Sequence, residues 1–315
     1  VAVGFSLAVT FPRAGNLGGG GFMLIYLKEQ NEILAIDYRG QSPSELEGNQ
    51  IFGVELPKDY DQANRDIVRY GYKASTVPGT VSGLLLAHAQ FGKLPLDEVM
   101  KPAIDQAVNG INVSFDLEQA IASAPQLSWD DESIGIYFND GKSLQEGSIM
   151  QRPDLAKTMT LISENGSKGF YEGEVAEKIV ESMSNNGGNI TIEDLQNYKA
   201  RFSQPIGINY RGNKVYTHGP PSGGGIVLLT ALKVLEYFDL GQIGNNSALT
   251  YHLLAEALRR GHNNRSHHVG DPLFYSVPYD DLMSDERIRK FAKSVSLKKA
   301  SSAREIKPLE IIKNQ

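Results

Sequence analysis

A chain of 315 residues with 41% apolar and 22% charged content is long enough for one large core or two small ones, and this is not the composition of a disordered segment. The net charge of −6 comes without any cluster of basic residues, which excludes the electrostatic footprint of a nucleic-acid or anionic-membrane binder. Cysteine is absent, so disulfides, cysteine nucleophiles and thiolate metal sites are excluded, while a reducing cytosol and an oxidising exterior both stay open.

Residues 1–9, VAVGFSLAV, form the body of an apolar helix with neither a cap nor a charged first turn, and no initiating Met or signal pattern precedes them. The chain is therefore expected to begin inside an element, with further sequence upstream. FMLIYLK at 22–28 and ILAIDYR at 33–39 flank the polar stretch EQNE and predict a hairpin, and their near-continuous hydrophobicity predicts a sheet covered on both faces. Residues 44–74 are polar and weakly patterned, a long surface excursion. TVPGTVSGLLLAHAQFG at 76–92 turns helical, entered at Pro78 and Thr80, with Val81, Leu84, Leu85, His88 and Phe91 near one face.

Further helices are predicted over about 153–164, 172–186, 225–238, 248–262 and 284–295, with Pro153, Ser247 and Ser284 as entry residues. PIGINYRGNKVYTH at 205–218 reads as strand, turn and strand, and REIKPLEIIKNQ at 304–315 as a polar tail with nothing to dock it. The apolar runs VAVGFSLAV and IVLLTALKVL fall well short of the roughly 20 residues of a membrane span. No repeat, Pro-rich linker or low-complexity block divides residues 1–315, so the chain reads as one sheet-centred α/β or α+β domain.

Four consecutive glycines stand in GNLGGGGF at 15–22. A phosphate loop needs GxxxxGK[ST], but Gly21 and Phe22 follow Gly20, and both nucleotide motifs need strand, glycines, helix where this order is helix, glycines, strand. The glycines read instead as a tight turn in which backbone packs closely. No GxSxG elbow exists, because Ser82 in GTVSG has Thr80 where the first glycine belongs, and Ser296-Leu-Lys-Lys299 matches SxxK without the accompanying SDN or KTG. His252, His262, His267 and His268 lie in one region without HExxH, which favours a polar helix end over a metal site. Arg39 closes an apolar strand and offers five fixed donors at a sheet end, suited either to gripping a carboxylate bidentately or to an internal salt bridge with Asp37 or Asp271.

The order of motifs resembles the large chain of the gamma-glutamyltranspeptidase family. The matching pieces are VAVGFSLAVTFPRAGNLGGGGFMLIYL, AIDYRGQSP, VPGTVSGL, EGSIMQRPDLAKTM, GFYEGEVAEKI, GGNITIEDLQNY, GPPSGGGIVLLTALKVLE, AEALRR and NRSHHVGDPLFYSVP, across nearly the whole chain. The resemblance implies an α+β fold, a four-layer αββα sandwich of the N-terminal-nucleophile hydrolase type completed by a separate small chain. It implies a precursor that cleaves itself, with the new N-terminal threonine of the small chain as nucleophile. On this reading the cleavage point follows Gln315, the family's Gly-Gly-Asn-Ala segment lies upstream of Val1, and no catalytic residue stands in this chain.

The same resemblance makes Arg39 the group that binds the α-carboxylate of a γ-glutamyl donor. It implies acyl transfer through a covalent ester to water or to an amino acid or peptide amine, with backbone NH groups stabilising the oxyanion and the threonine α-amine as base. No metal or organic cofactor is called for, the partners are the small subunit and a small γ-glutamyl substrate, and a periplasmic or extracellular place is favoured. Departures bear on the substrate. The family usually has Arg-Glu where this chain has Arg39-Gly40, PPSSGG where it has Pro220-Pro221-Ser222-Gly223-Gly224-Gly225, and often Ala-Asp-Arg-Ser where it has Asn263-Asn264-Arg265-Ser266. Ser222 reads either as part of a substrate-side loop or as a proline-glycine turn into a helix, and NRSHHVGDP with Asp271 as structural polar packing. Alternatives are an acylase of the same fold acting on another donor, such as a glutaryl amide, or a catalytically silent relative.

Overall fold

The computed structural model describes residues 1–46 and 69–308. The excursion expected over 44–74 thus lies largely outside the described residues, as does Gln315. The chain packs as two compact units, Val1–Phe22 with Ile36–Arg201 and Met23–Ala35 with Phe202–Gln315.

The predicted hairpin forms from strands Gly21–Leu27 and Glu32–Tyr38, which join Arg201–Ser203 in a three-stranded sheet in the order Gly21–Leu27, Glu32–Tyr38, Arg201–Ser203. Among the described residues the expected cover on both faces does not form. Leu24 and Tyr26 are 42% and 59% exposed, because alternate residues of a strand share one face and the described residues leave that face open.

In the first unit the helix Ala2–Thr10 packs on Leu96–Asn109, which packs on Pro153–Asn165. Met100, Ala103 and Ala107 recur at helical spacing and are buried, facing a core that includes Phe5, Met159 and Ile162. Each large side chain fully buried in this way contributes about 1.5–3 kcal/mol relative to exposure. The Leu96–Asn109 helix is absent from the expectations above; Pro102 sits inside it, on its exposed face, and interrupts the sequence pattern without ending the helix. Thr80–Phe91 forms as expected and buries Val81, Leu84 and Ala87. Gly173–Asn185 matches the predicted 172–186, and a capping box of Thr191 and Asp194 then opens the short helix Ile192–Asn197.

In the second unit, Pro205–Tyr210 and Asn213–His218 pair antiparallel around a two-residue turn in which Arg211 and Gly212 have φ of 49° and 84°. Gly223–Leu235 packs against Ala248–His268, and Ala231, Val234, Leu235, Leu253 and Ala257 share a core with Ile288 and Phe291 of Asp285–Lys293. Ser247 and Ser284 cap their helices as expected, accepting the N–H groups of Thr250 and Arg287. The predicted 248–262 helix runs on to His268, through polar residues that a hydrophobic period does not register. Asn263, Asn264 and His268 among them are buried, and the two asparagines are paired. Asn264 donates to Thr230 Oγ1 and Leu282 O and accepts from Arg287 Nε, and Asn263 donates to Ile306 O. Within NRSHHVGDP, Asn264 is packed in this way, while Arg265, Ser266 and His267 are exposed.

Candidate active site

The strand Glu32–Tyr38 buries Ala35, Ile36 and Asp37, and the chain then emerges at Arg39, which is exposed. Both Asp37 oxygens are committed. Oδ1 accepts the backbone N–H of Arg39 at 3.0 Å, and Oδ2 accepts Nη2 of Arg201 at 2.9 Å and its Nε at 3.2 Å. The ion pair considered for Arg39 with Asp37 is therefore made by Arg201 instead. Among the described residues the Arg39 guanidinium makes no hydrogen bond or ion pair; its Cζ lies 5.8 Å from the centre of the Phe22 ring. A planar cation resting on an aromatic ring at the end of a rigid strand can present two parallel N–H groups to an anion.

The backbone around Arg39 is held by aromatic side chains from far along the chain. Tyr198 donates its hydroxyl to the Arg39 carbonyl at 2.7 Å, and its ring stacks on Tyr171 with centroids 5.9 Å apart and planes 10° from parallel. Tyr171 donates to Pro78 O at 2.8 Å and accepts the Ser82 N–H at 3.1 Å, while Ser82 Oγ accepts the N–H of Ala200. Burial pushes both phenols well above the ordinary tyrosine range, and the nearby Asp37 carboxylate adds to the rise at Tyr198. Both stay protonated at neutral pH and act as donors, not bases.

The glycine run is a matter of space. None of Gly18 to Gly21 has positive φ. Gly19 O instead accepts the N–H groups of Gly79 and Thr80 at 2.7 and 3.1 Å, satisfying orphan donors where the Thr80–Phe91 helix begins. A Cβ on Gly20 would lie 2.4 Å from the Gly40 nitrogen and 2.7 Å from the Tyr38 carbonyl. Gly40 is equally confined, since a Cβ there would meet Thr76 Oγ1 at 2.1 Å. The loop packs directly against the backbone on either side of Arg39, with Leu17 buried as its anchor.

Ser296 Oγ accepts the N–H groups of Lys298 and Lys299, so the SxxK match is a local bend. His252 bonds the Ser296 carbonyl, and His262, His267 and His268 fall on the last turns of Ala248–His268, the polar helix end expected. Among the described residues no group of His, Asp or Glu could hold a metal ion. Ser222 precedes the Gly223–Leu235 helix after the cis Pro220-Pro221 bond, and a Cβ on Gly223 would lie 2.6 Å from Arg265 Nε. A cavity of about 980 Å³ lined by Arg260, Arg287, Lys290, Ser301 and Glu305 includes neither Arg39 nor its neighbours. Tyr171, Tyr198 and Arg201 escape sequence reasoning, because only the Thr191-Asp194 capping signature hints that a short helix delivers Tyr198 and Arg201 to a fixed place.

The architecture is α+β, of the class formed by gamma-glutamyltranspeptidases and related N-terminal-nucleophile hydrolases. The gamma-glutamyltranspeptidase of Helicobacter pylori superposes with a TM-score of 0.90 at 36% identity, covering 98% of this chain and 87% of that one. The chain belongs to the gamma-glutamyltranspeptidase family, whose model matches residues 1–314. It is 39% identical over 312 residues to the glutathione hydrolase proenzyme of Escherichia coli K12, covering 98% of this chain and 52% of that protein. It is also 34% identical over 294 residues to the acylase ACY 1 proenzyme of Pseudomonas sp. SE83, covering 91% of this chain and 52% of the acylase. The chain spans about half the length of the curated relatives it matches.

Proposed function

We propose that this chain is the large chain of an enzyme that moves γ-glutamyl groups from a peptide-like donor to water or to an amine, and that Arg39 grips the donor's α-carboxylate. The observation that carries this reading is the exposed Arg39 guanidinium, which has no ionic partner among the described residues while the adjacent Asp37 is taken by Arg201. The relatives' proenzyme character supports a second, smaller chain from the same precursor, whose N-terminal threonine attacks the γ-carbonyl. The amine leaves, a γ-glutamyl ester forms, and water or an acceptor amine then takes the acyl group. This chain's part is to fix the donor through its carboxylate, which sets the distance of the γ-carbonyl from the nucleophile. Both packing units count as one large-chain domain in this reading.

The test is p-nitroaniline release from γ-glutamyl-p-nitroanilide by the matured full-length protein, with and without glycylglycine, beside Arg39→Ala. Losing one partner of a desolvated charge pair costs about 2–5 kcal/mol, so the variant is expected to lose nearly all kcat/KM. An unchanged kcat/KM removes Arg39 from the site. A second reading, an acylase for another acyl donor, is favoured by Gly40, where the family usually carries an acidic residue. Absence of release from correctly cleaved protein, with release from a glutaryl anilide, would select it.

A further inference from the structure

The peptide group on each side of Arg39 is held by a side chain. Its N–H goes to Asp37 Oδ1, itself oriented by Arg201, and its C=O accepts from Tyr198. Tyr198 and Arg201 lie in one short segment after the Ile192–Asn197 helix, and that helix contributes a third tie, since Asp194 Oδ1 accepts the N–H of Ser44 at 3.0 Å. Segment 191–201 therefore grips the chain before, at and after Arg39, where the strand ladder has ended and its hydrogen bonds no longer hold the backbone.

A guanidinium at the end of a long side chain moves by more than the backbone beneath it when that backbone rotates. Bidentate recognition of a carboxylate tolerates little such movement. Tyr198 is itself confined, 5% exposed and stacked on Tyr171. We propose that Tyr198 and the Asp37–Arg201 pair are positioning residues for Arg39, setting the reach of its guanidinium and with it the preference for donors that carry a free α-carboxylate. This rests on the reading of Arg39 given under Proposed function.

The experiment uses the matured full-length protein and two donors, γ-glutamyl-p-nitroanilide and its α-methyl ester. Tyr198→Phe removes one hydroxyl and leaves the ring stack. It is expected to raise KM for the acid about three- to tenfold, the worth of one lost hydrogen bond, with kcat changed less than about twofold. KM for the ester stays as in the parent protein, and Tyr198→Phe adds nothing in an Arg39→Ala background. Asp37→Asn, which keeps an acceptor for the Arg39 N–H but loses the charge facing Arg201, provides a second variant with the same expected pattern if Tyr198→Phe matures poorly. Equal losses on both donors, or no loss on either, overturn the positioning role while leaving Arg39 in place. If Arg39→Ala itself fails to discriminate acid from ester, the carboxylate reading falls first.

Discussion

Arg201 reaches across the sheet end to Asp37, its Nη2 2.9 Å from a carboxylate oxygen on a residue only 6% exposed. The pair joins residues 164 apart in sequence and frees Arg39 from the acid nearest to it. Removing the acid leaves the arginine facing a buried, unmatched position. Asp37→Ala is expected to destabilise the protein by about 2–3 kcal/mol, less than the 3–5 kcal/mol of a fully buried pair because Arg201 remains partly solvated. Urea unfolding of variant and parent measures it, and a shift below about 0.5 kcal/mol would contradict the role given to the pair.

The glycine run offers a contrast within one loop. A methyl on Gly20 would lie 2.4 Å from the Gly40 nitrogen, whereas on Gly18 its nearest neighbour would be Asn16 Oδ1 at 3.7 Å. Gly20→Ala must displace backbone and is expected to cost about 1–3 kcal/mol, with Gly18→Ala within about 0.5 kcal/mol of the parent. Thermal unfolding of the two variants should separate them clearly; equal melting temperatures would mean the loop does not pack as described.

Gly40 carries a similar argument with a built-in rescue. The antiparallel bridge of Gln41 and Val77, with N–H···O distances of 3.2 and 2.8 Å, brings Thr76 against Gly40. Placing an acid beside Arg39 as Gly40→Glu is therefore expected to lower stability by about 1–3 kcal/mol, and adding Thr76→Gly to recover most of it. The stability of the double variant is the reading that matters, since failure to recover would place the obstacle elsewhere.

Glu256 supplies a pH prediction. Burial opposes its ionisation, but hydrogen bonds from Ser301 and the charge and hydrogen bond of Arg260 outweigh that and bring its pKa down to about 2 from 4.5. Because the folded value is depressed, its stabilising contribution is complete above pH 4.5 and is lost as pH falls toward 2. Glu256→Gln cannot take up that proton. Its stability is expected to fall less steeply than the parent's in this window, by up to about 1.4 kcal/mol per pH unit. Parallel slopes would show that Glu256 does not titrate there.

Much of the fold is legible in local pattern. The hairpin around EQNE, the Arg211-Gly212 turn and the caps at Ser247 and Ser284 form where the residues require, because each depends on a few neighbouring side chains and backbone angles. The Leu96–Asn109 helix is obscured by Pro102 and the end of Ala248–His268 by buried asparagines, since neither proline tolerance nor polar pairing registers in a hydrophobic period. Arg39 stands out at the end of its strand, but the choice between an internal salt bridge and an outward-facing clamp does not lie in AIDYRG.

By itself the sequence determined the hairpins and most of the longer helices, the close-packed glycine loop as a kind of object, and the family through its ordered motifs. Tertiary structure decided which arginine Asp37 would hold, and that Tyr198 would bond the Arg39 carbonyl from 159 residues away. It also decided that the glycines answer to the crowding of Gly40 and Tyr38 and not to unusual φ. The physical reason is the same in each case. Periodicity and capping are set over one or two turns of chain, whereas the pairing of a buried charge or the room for a methyl depends on whatever distant segment the fold brings within hydrogen-bonding or van der Waals distance.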